Sequence, residues 1–373
     1  MRIAMLTCVY PPYGGGIGEV ARQYASLLTP EHQVTVITPH YYPGMTFVNT
    51  PGISVNSPRP FLAWGNGAWL LNLKHHLKKF EAVHLHYPFF GVHERLHSLP
   101  KSIKFILTYH MLPQATGVRG ALMKFSRQYS NKRLAKRAQV MTVATQDYLD
   151  TVVLPEMGEA DKWQVVPFGV DDRFGPGEPS EKLTRQFNIR FGETVILFVG
   201  TLDQAHYFKG LPILLEAVSK LKSQNWKLIV VGGGGLRHHY EQQVRSMKLG
   251  KKVVFAGYVP VGELPEYYLL ANLFVLPSIN EAEAFGLVAL EAMATGIPVV
   301  ASRLPGVREL VQHSETGLLV SPSDSLALAA ALESLILSPS ERQRLGFNAL
   351  KRVEANYRWS VVGRKLLDIY RAL

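Results

Sequence analysis

Cysteine is almost absent: Cys8 is the single one in 373 residues. That excludes an internal disulfide framework and any multi-cysteine zinc site, and a reducing compartment fits best. No apolar run approaches the ~18 residues that crossing a bilayer requires. Met1 to Tyr10 has only a short apolar stretch before Pro11 and Pro12, so it reads as a buried first strand rather than a signal peptide. Asp-x-Asp occurs nowhere, and there is no short-period repeat, low-complexity tract, zinc-finger spacing or RNP-type motif. Acids are scarce at one end only. From Met1 to Gln146 there are 16 Lys/Arg against four acids, Glu19, Glu31, Glu81 and Glu94, whereas the remainder holds 24 against 25.

The net charge of +11 is therefore carried by the first half. Such asymmetry points to an anionic partner for that half, or simply to a soluble basic domain. An apolar fraction of 47%, with 5 Trp, 16 Tyr and 17 Phe, suffices for two packed cores and excludes a mainly disordered, collagen-like or coiled-coil chain. Length points the same way, since a domain takes roughly 100–200 residues.

The two halves repeat one pattern. RIAMLTCV (Arg2 to Val9) is an apolar run ending at a Pro/Gly loop, followed by a helical pattern from Glu19 to Leu28 and a strand from Gln33 to Thr38. Further strands are expected at Ala82–Leu85, Lys104–Tyr109, Val140–Ala144 and Gln164–Pro167. The second half restarts with strands at Thr194–Gly200, Lys227–Gly232, Val253–Gly257, Leu273–Pro277 and Pro298–Ser302, and helices at Leu211–Lys222 and Leu287–Thr295. These strands are apolar throughout rather than alternating, as when helices cover both faces of a parallel sheet. The Gly-, Pro- and acid-rich stretch Phe168 to Glu181 is the best boundary, and residues 324–373 are helical in pattern, divided at Pro339 between the capping candidates Ser338 and Ser340. The fold class is α/β: two doubly wound parallel-sheet domains in series, with the cleft between them as the default ligand site.

Two stretches carry chemistry. PPYGGGIG (Pro11 to Gly18) links the first strand to the first helix; Gly14, Gly15, Gly16 and Gly18 let backbone approach a ligand, and a helix start offers N–H groups to an anion. Position 19 is Glu, so the dinucleotide spacing G-x-G-x-x-G is broken and an NAD-dependent dehydrogenase is disfavoured; by itself the loop is equally a tight turn. The second stretch is SINEAEAFGLVALEAMATGIPVVAS (Ser278 to Ser302): a strand ends at Pro277, a polar loop follows, a helix begins near Phe285-Gly286, and Glu283 and Glu291 stand eight residues apart. If all helical, eight residues place them about 80° apart around the axis and about 12 Å along it. That is too far for a glycosidase carboxylate pair, which needs ~5–9.5 Å. It suits two hydroxyl clusters on one elongated ligand, such as the sugar and ribose of a sugar nucleotide, with the helix start facing the phosphates. Glu291 also lies among Ala289, Leu290, Ala292 and Met293, an expensive place for an unpartnered charge.

Together, GTLDQAHYFKGLPILLEA (Gly200 to Ala217), PSINEAEAFGLVALEAMATGIPVVAS (Pro277 to Ser302) and GVRELVQHSETGLLV (Gly306 to Val320) resemble glycosyltransferase family 4, retaining enzymes of GT-B fold. The likeness spans essentially the whole chain and is strongest from Phe198 to Val320. It implies two Rossmann-like domains, an acceptor-binding one over 1–170 and a nucleotide-sugar-binding one over 171–355, with a C-terminal helix over 356–373 packing back on the first. It implies that Glu283 contacts donor-sugar hydroxyls, that Glu291 holds the ribose, and that the amides of Phe285, Gly286 and Leu287 face the diphosphate. Lys209 matches the family lysine that offsets leaving-group charge. Where family members usually carry Arg after the strand-ending glycine, this chain has Thr201, so Arg173 and His206 are candidate phosphate helpers. His110, in ILTYHM, matches the histidine that contacts the donor sugar; alone it would equally be a structural residue. Gly15 and Gly16 match the loop near phosphate and acceptor. His110, Lys209 and Glu283 are thus the expected catalytic groups. The implied reaction moves a hexosyl unit from a UDP- or GDP-linked donor to a hydroxyl of a lipid-linked or saccharide acceptor, with no cofactor and no metal. A leaving-phosphate oxygen takes the acceptor proton. The alternative is a GT-B-fold sugar-nucleotide epimerase, which product mass distinguishes.

The acceptor half is the basic half. Arg59 to Phe80 combines Phe61, Trp64, Trp69 and Phe80 with Arg59, Lys74, Lys78 and Lys79 and contains no acid. Arg119 to Arg137 has seven Lys/Arg, among them Lys124, Arg127, Lys132 and Arg133, with Leu122, Met123, Phe125 and Leu134 at near-helical spacing. Cations beside aromatic and aliphatic groups read as a patch for an anionic membrane surface, which places the protein on the cytoplasmic face of a membrane. The competing reading is a soluble domain with solvated cations. A nucleic-acid partner would explain the charge alone.

Overall fold

Short apolar runs bounded by Gly and Pro pair side by side in the computed structural model, which describes every residue except Gly14, Pro43, Met45, Val48, Asn49, Ala115 and Thr116, and the side chains of Val118 and Arg119. The strands of the first part are β1 (Arg2–Leu6), β2 (Gln33–Ile37), β3 (Ile53–Asn56), β4 (Leu62–Trp64), β5 (Gly67–Trp69), β6 (Ala82–Tyr87), β7 (Lys104–Tyr109), β8 (Val140–Val143) and β9 (Trp163–Val165). Seven of them form a sheet in the order β3-β2-β1-β6-β7-β8-β9, every pairing parallel, while β4 and β5 make a separate antiparallel hairpin. The second part contributes β10 (Thr194–Val199), β11 (Trp226–Val231), β12 (Val253–Gly257), β13 (Leu273–Leu276), β14 (Val299–Ser302) and β15 (Gly317–Val320), all parallel in the order β12-β11-β10-β13-β14-β15. In both sheets the order reverses beside the first strand, between β1 and β6 and between β10 and β13. Such switch points leave a crevice beyond the strand ends.

The chain divides into two compact units, Met1–Gly169 with Trp359–Leu373, and Val170–Arg358. Sequence reading misses β3, β15 and the hairpin. β3 and β15 are edge strands of only four residues, each with half of its positions buried or fewer. The first helix begins at Gly16 rather than Glu19. At the C-terminal end, Asp324 caps the Ser325–Leu337 helix by accepting from the Ala327 amide (2.9 Å), and Pro339–Asn356 follows. The helix Trp359–Arg371 lies in the first unit. Its Trp359 ring meets Tyr24 of the Gly16–Leu28 helix edge-on at 5.9 Å, and Arg371 pairs with Glu31 at 2.5 Å.

The core of the first unit holds an unusual polar seam. Strand β6 is buried along its whole length yet carries His84 and His86, whose rings stack at 4.9 Å. Both ring nitrogens of His84 are occupied, Nδ1 by the Tyr370 hydroxyl and Nε2 by that of Thr108, each at 2.7 Å, and Thr108 bonds on to Thr142 at 2.7 Å. Burial pushes the pKa of His84 and of His110 down to about 3 and that of His86 well below the usual value, so all three are neutral.

An unfolded histidine binds its proton near pH 6.5, whereas folded His84 and His110 do so only near pH 3 and His86 well below its usual value, so the unfolded chain gains protons first as pH falls. Stability contributed by this seam is complete above about pH 7 and drops below ~6.5 by ~1.4 kcal/mol per pH unit for each histidine. Urea unfolding of the first unit should shift to lower midpoint between pH 7.5 and 5.5, and the shift should shrink in His84→Phe. An equal shift in the variant would show that His84 protonates without penalty.

Candidate functional site

In the second unit the segment from β13 to the Leu287–Ala294 helix gathers most of the expected donor-binding residues. The loop leaves β13 through Pro277 and Ser278 and carries Glu283 before the helix begins. Glu283 is thus a loop residue, as the helix start expected near Phe285-Gly286 implies, and the all-helical spacing to Glu291 does not apply. Its carboxylate is buried but satisfied: Oε2 accepts from the Lys209 ammonium (2.7 Å) and the Ser278 hydroxyl (2.9 Å). A buried carboxylate persists only with such partners, and removing one of them leaves an uncompensated charge.

Two glycines make this convergence possible. Lys209 ends the 3-10 segment Gln204–Lys209, whose start is capped by Asp203 accepting from the His206 amide at 2.9 Å. Gly210 follows at φ 71°, and a Cβ there would lie 1.9 Å from the Pro277 carbonyl oxygen. The Ile279 amide donates to the Phe208 carbonyl at 2.8 Å, stitching the two loops together. Lys209 therefore reaches Glu283 because the backbones touch. Gly286, at φ 87°, starts the Leu287–Ala294 helix; a Cβ would meet the Leu276 side chain at 2.9 Å. The Ala289 and Leu290 amides turn back to the Gly286 carbonyl. The amides before them have no acceptor within the helix, which leaves the Gly286–Leu287 corner as an anion-attracting end beside Lys209 and Glu283.

Glu291 is half-buried on this helix and accepts from the Tyr268 hydroxyl at 2.6 Å. Tyr268 is fully buried; burial raises its pKa well above the usual value and the Glu291 charge adds to this, so it stays a donor. Arg173 is held by Asp171 and His206 by Asp203, each at 2.7 Å, so both helper candidates already have a carboxylate partner. Thr201 is exposed. Ser278 and Tyr268 were not found by sequence reasoning. Ser278 opens the quoted motif, whereas Tyr268 sits 23 positions before Glu291 on another helix, where no local spacing marks it.

In the first unit, Gly15 caps and Gly16 opens the Gly16–Leu28 helix, directly after β1; Gly14 lies outside the described residues. His110 follows β7, with its amide bonded to the Tyr87 carbonyl at 2.9 Å. Its ring stacks on Phe168 at 4.9 Å and is bonded to His86 at 2.8 Å. His86 is a second residue that the sequence reading passed over.

The basic stretches form two exposed elements. On the Gly117–Arg137 helix, Lys124, Lys132 and Arg133 are exposed, and so are the apolar Leu122 (64%), Phe125 (70%) and Tyr129 (52%). The Arg133 guanidinium lies 3.8 Å over the Tyr129 ring. Arg127 departs from the expected patch: it is buried, donates to the Pro113 carbonyl (2.9 Å) and lies 3.6 Å from Glu156, so it serves the fold rather than the surface. Phe80 and Leu134 are buried as well. On the β4–β5 hairpin and its flanks, Arg59, Phe61, Trp64, Trp69, Lys74, Lys78 and Lys79 are exposed. Both elements flank one segment: the Ala68 amide donates to the Phe90 carbonyl, and Glu94 accepts from the Gly91 amide and the Ser126 hydroxyl. No helix among the described residues is long and apolar enough to cross a membrane.

The family model for glycosyl transferases group 1 matches residues 179–352, and that for Glycosyltransferase Family 4 matches residues 14–174. A D-inositol 3-phosphate glycosyltransferase of Corynebacterium diphtheriae is 30% identical over 84% of this chain and 75% of that protein. The structure of sucrose-phosphate synthase from Thermosynechococcus elongatus superimposes with a TM-score of 0.78 at 25% identity, covering 100% of this chain and 98% of the other. Anabaena HepE, solved with UDP and glucose, shares the fold at TM-score 0.78 and 18% identity over 100% of both chains.

Substituting Gly210→Ala should destabilise the second unit by more than about 1 kcal/mol, through a strained φ and the collision with Pro277. Gly235→Ala, where a Cβ meets nothing within 4 Å, is the control. Equal melting temperatures for the two variants would contradict the close approach.

Proposed function

The chain belongs to family 4 of the glycosyltransferases, and from that premise we propose that it is a retaining hexosyltransferase using a UDP- or GDP-sugar and a lipid-linked or saccharide acceptor. The observation that carries the reading is the cluster of Glu283, Lys209 and Ser278 at the start of the Leu287–Ala294 helix, with Tyr268 holding Glu291 one helical stretch away. Glu283 receives donor-sugar hydroxyls and Glu291 the ribose. Lys209 and the amides of Phe285, Gly286 and Leu287 take the diphosphate, so that negative charge developing on the leaving group is met by a cation and a helix N-terminus. Lys209 donates to Glu283 at 2.7 Å, and a diphosphate would draw on the same ammonium.

As the C1–O bond loosens, the acceptor hydroxyl attacks from the face the leaving group departs, and a phosphate oxygen receives its proton. The protein's part is positioning and charge stabilisation, with His110 donating to the donor sugar and Gly15 and Gly16 lining the phosphate and acceptor side. Arg173 and His206 would assist the phosphates while each is held by its aspartate. With Lys209 and the helix start supplying the positive charge, the proposed reaction uses no metal. The UDP held by HepE makes a uridine donor the first to try. A sugar-nucleotide epimerase is not favoured, since the relatives are glycosyltransferases.

The surface of the first unit supports a membrane-bound acceptor. The Gly117–Arg137 helix buries Arg127, Ser130 and Asn131 beside Leu134 and Ala135, while Leu122, Phe125 and Tyr129 face solvent with Lys124, Lys132 and Arg133. An apolar face turned outward and bordered by cations suits insertion at an anionic bilayer surface, each cation contributing ~1 kcal/mol.

Calorimetric titration with UDP, GDP and ADP should find micromolar binding of UDP or GDP, weakened by ~1–3 kcal/mol in Glu291→Gln and by about 1 kcal/mol in Tyr268→Phe. Absence of binding by every diphosphate, or equal binding by Glu291→Gln, would sink the donor assignment. Proton NMR of the product should show the anomeric configuration of the donor; the opposite configuration contradicts retention. In flotation assays the protein should follow anionic but not neutral vesicles at low salt, and the double variant Phe125→Ser, Tyr129→Ser should lose that binding. If wild type stays in solution with anionic vesicles, the membrane reading is wrong.

A further inference from the structure

The polar seam of the first unit ends at His110, and its hydrogen bonds dictate what that residue can offer a ligand. His84 and His86 project from the same face of β6, two positions apart, and His110 continues past the end of the neighbouring β7. The His110 ring is clamped between two groups, stacked on Phe168 at 4.9 Å and bonded through Nε2 to Nδ1 of His86 at 2.8 Å. Among the described residues its Nδ1 has no hydrogen bond.

A bond between two neutral imidazoles needs one donor and one acceptor, so only two arrangements exist. In the first, His86 donates from Nδ1, His110 accepts at Nε2, and the His110 proton sits on Nδ1. In the second, His110 donates from Nε2, and the His86 proton sits on Nε2. The environment of His86 separates them. Its Nε2 is buried with no hydrogen-bond partner, and the Tyr24 hydroxyl, whose ring lies 5.6 Å from that of His86, is also without one. The second arrangement therefore strands an N–H in the core, whereas the first strands only a lone pair. A buried orphan N–H is the rarer and costlier defect. The other end of the seam is immobile as well: His84, stacked on His86, is tied to Tyr370 and Thr108.

We propose that His86 is a positioning residue, donating from Nδ1 to Nε2 of His110 so that His110 presents a neutral Nδ1–H donor to an oxygen of the donor sugar. The step rests on the reading that His110 meets that sugar. It makes His110 a fixed hydrogen-bond donor and not a general base, since its one lone pair is already engaged by His86. Burial, which keeps both rings neutral, supports the same assignment.

Two measurements test this. In long-range proton–nitrogen NMR of histidine-labelled protein at pH 7.5, with His110 assigned by His110→Gln, the His110 ring should be the Nδ1–H tautomer. In His86→Phe that preference should relax towards Nε2–H. For transfer, His86→Phe should lower kcat/KM for the sugar donor by on the order of tenfold while affinity for the free nucleotide stays unchanged, and His86→Asn, whose amide can donate from a similar position, should recover part of the loss. An Nε2–H tautomer for His110 in wild type overturns the proposal whether or not the variants fold, as does a His86→Phe protein with unaltered tautomer. If His110→Gln transfers sugar as well as wild type, the sugar-contact reading fails instead, and the tautomer result distinguishes the two failures.

Discussion

Parallel strand pairing is the constraint from which the rest of the molecule follows. It sends every strand of a sheet in one direction, so that all the loops leaving carboxyl ends gather on one edge. At the reversal between β1 and β6 that edge collects the glycine loop and the histidine seam. At the reversal between β10 and β13 it collects Gly200, the Lys209 segment and the loop carrying Glu283. Groups far apart in sequence, such as Lys209 and Glu283, are brought together by a shared direction of travel.

The two units solve the burial of polar groups in different ways. The second unit keeps its charges and balances them: Glu283 has an ammonium and a hydroxyl, and Glu291 has a phenol. The seam of the first removes charge, holding its histidines neutral and passing hydrogen bonds from hydroxyl to imidazole to hydroxyl. Balanced charges suit a site that must exchange partners with an anionic ligand. A neutral seam suits a group whose orientation is to be fixed, because a neutral imidazole donates on one side only.

The exposed face of the first unit breaks the usual rule of apolar residues inward. Ser130 and Asn131 are fully buried on the Gly117–Arg137 helix while Phe125 lies in solvent. The polar inner face is held by Glu94 and Pro113 through Ser126 and Arg127, which frees the outer face for another surface.

Much of this was legible in the sequence. Apolar runs without alternation marked the central strands, and the motif with Glu283 and Glu291 marked the segment on which the structure gathers Lys209 and Ser278. What local pattern could not reveal was long-range: Tyr268 reaching Glu291 from 23 residues away, His86 meeting His110 across two strands, and Tyr370 closing on His84 over 286 positions. Nor could it reveal that Arg127 faces inward while Phe125 faces out. The sequence alone determined the order of strands and helices, the family and the charged groups available, because those depend on neighbours within a few residues. Tertiary structure alone decided which partners those groups keep, since a hydrogen bond depends on distance in space, and the sheet sets that distance.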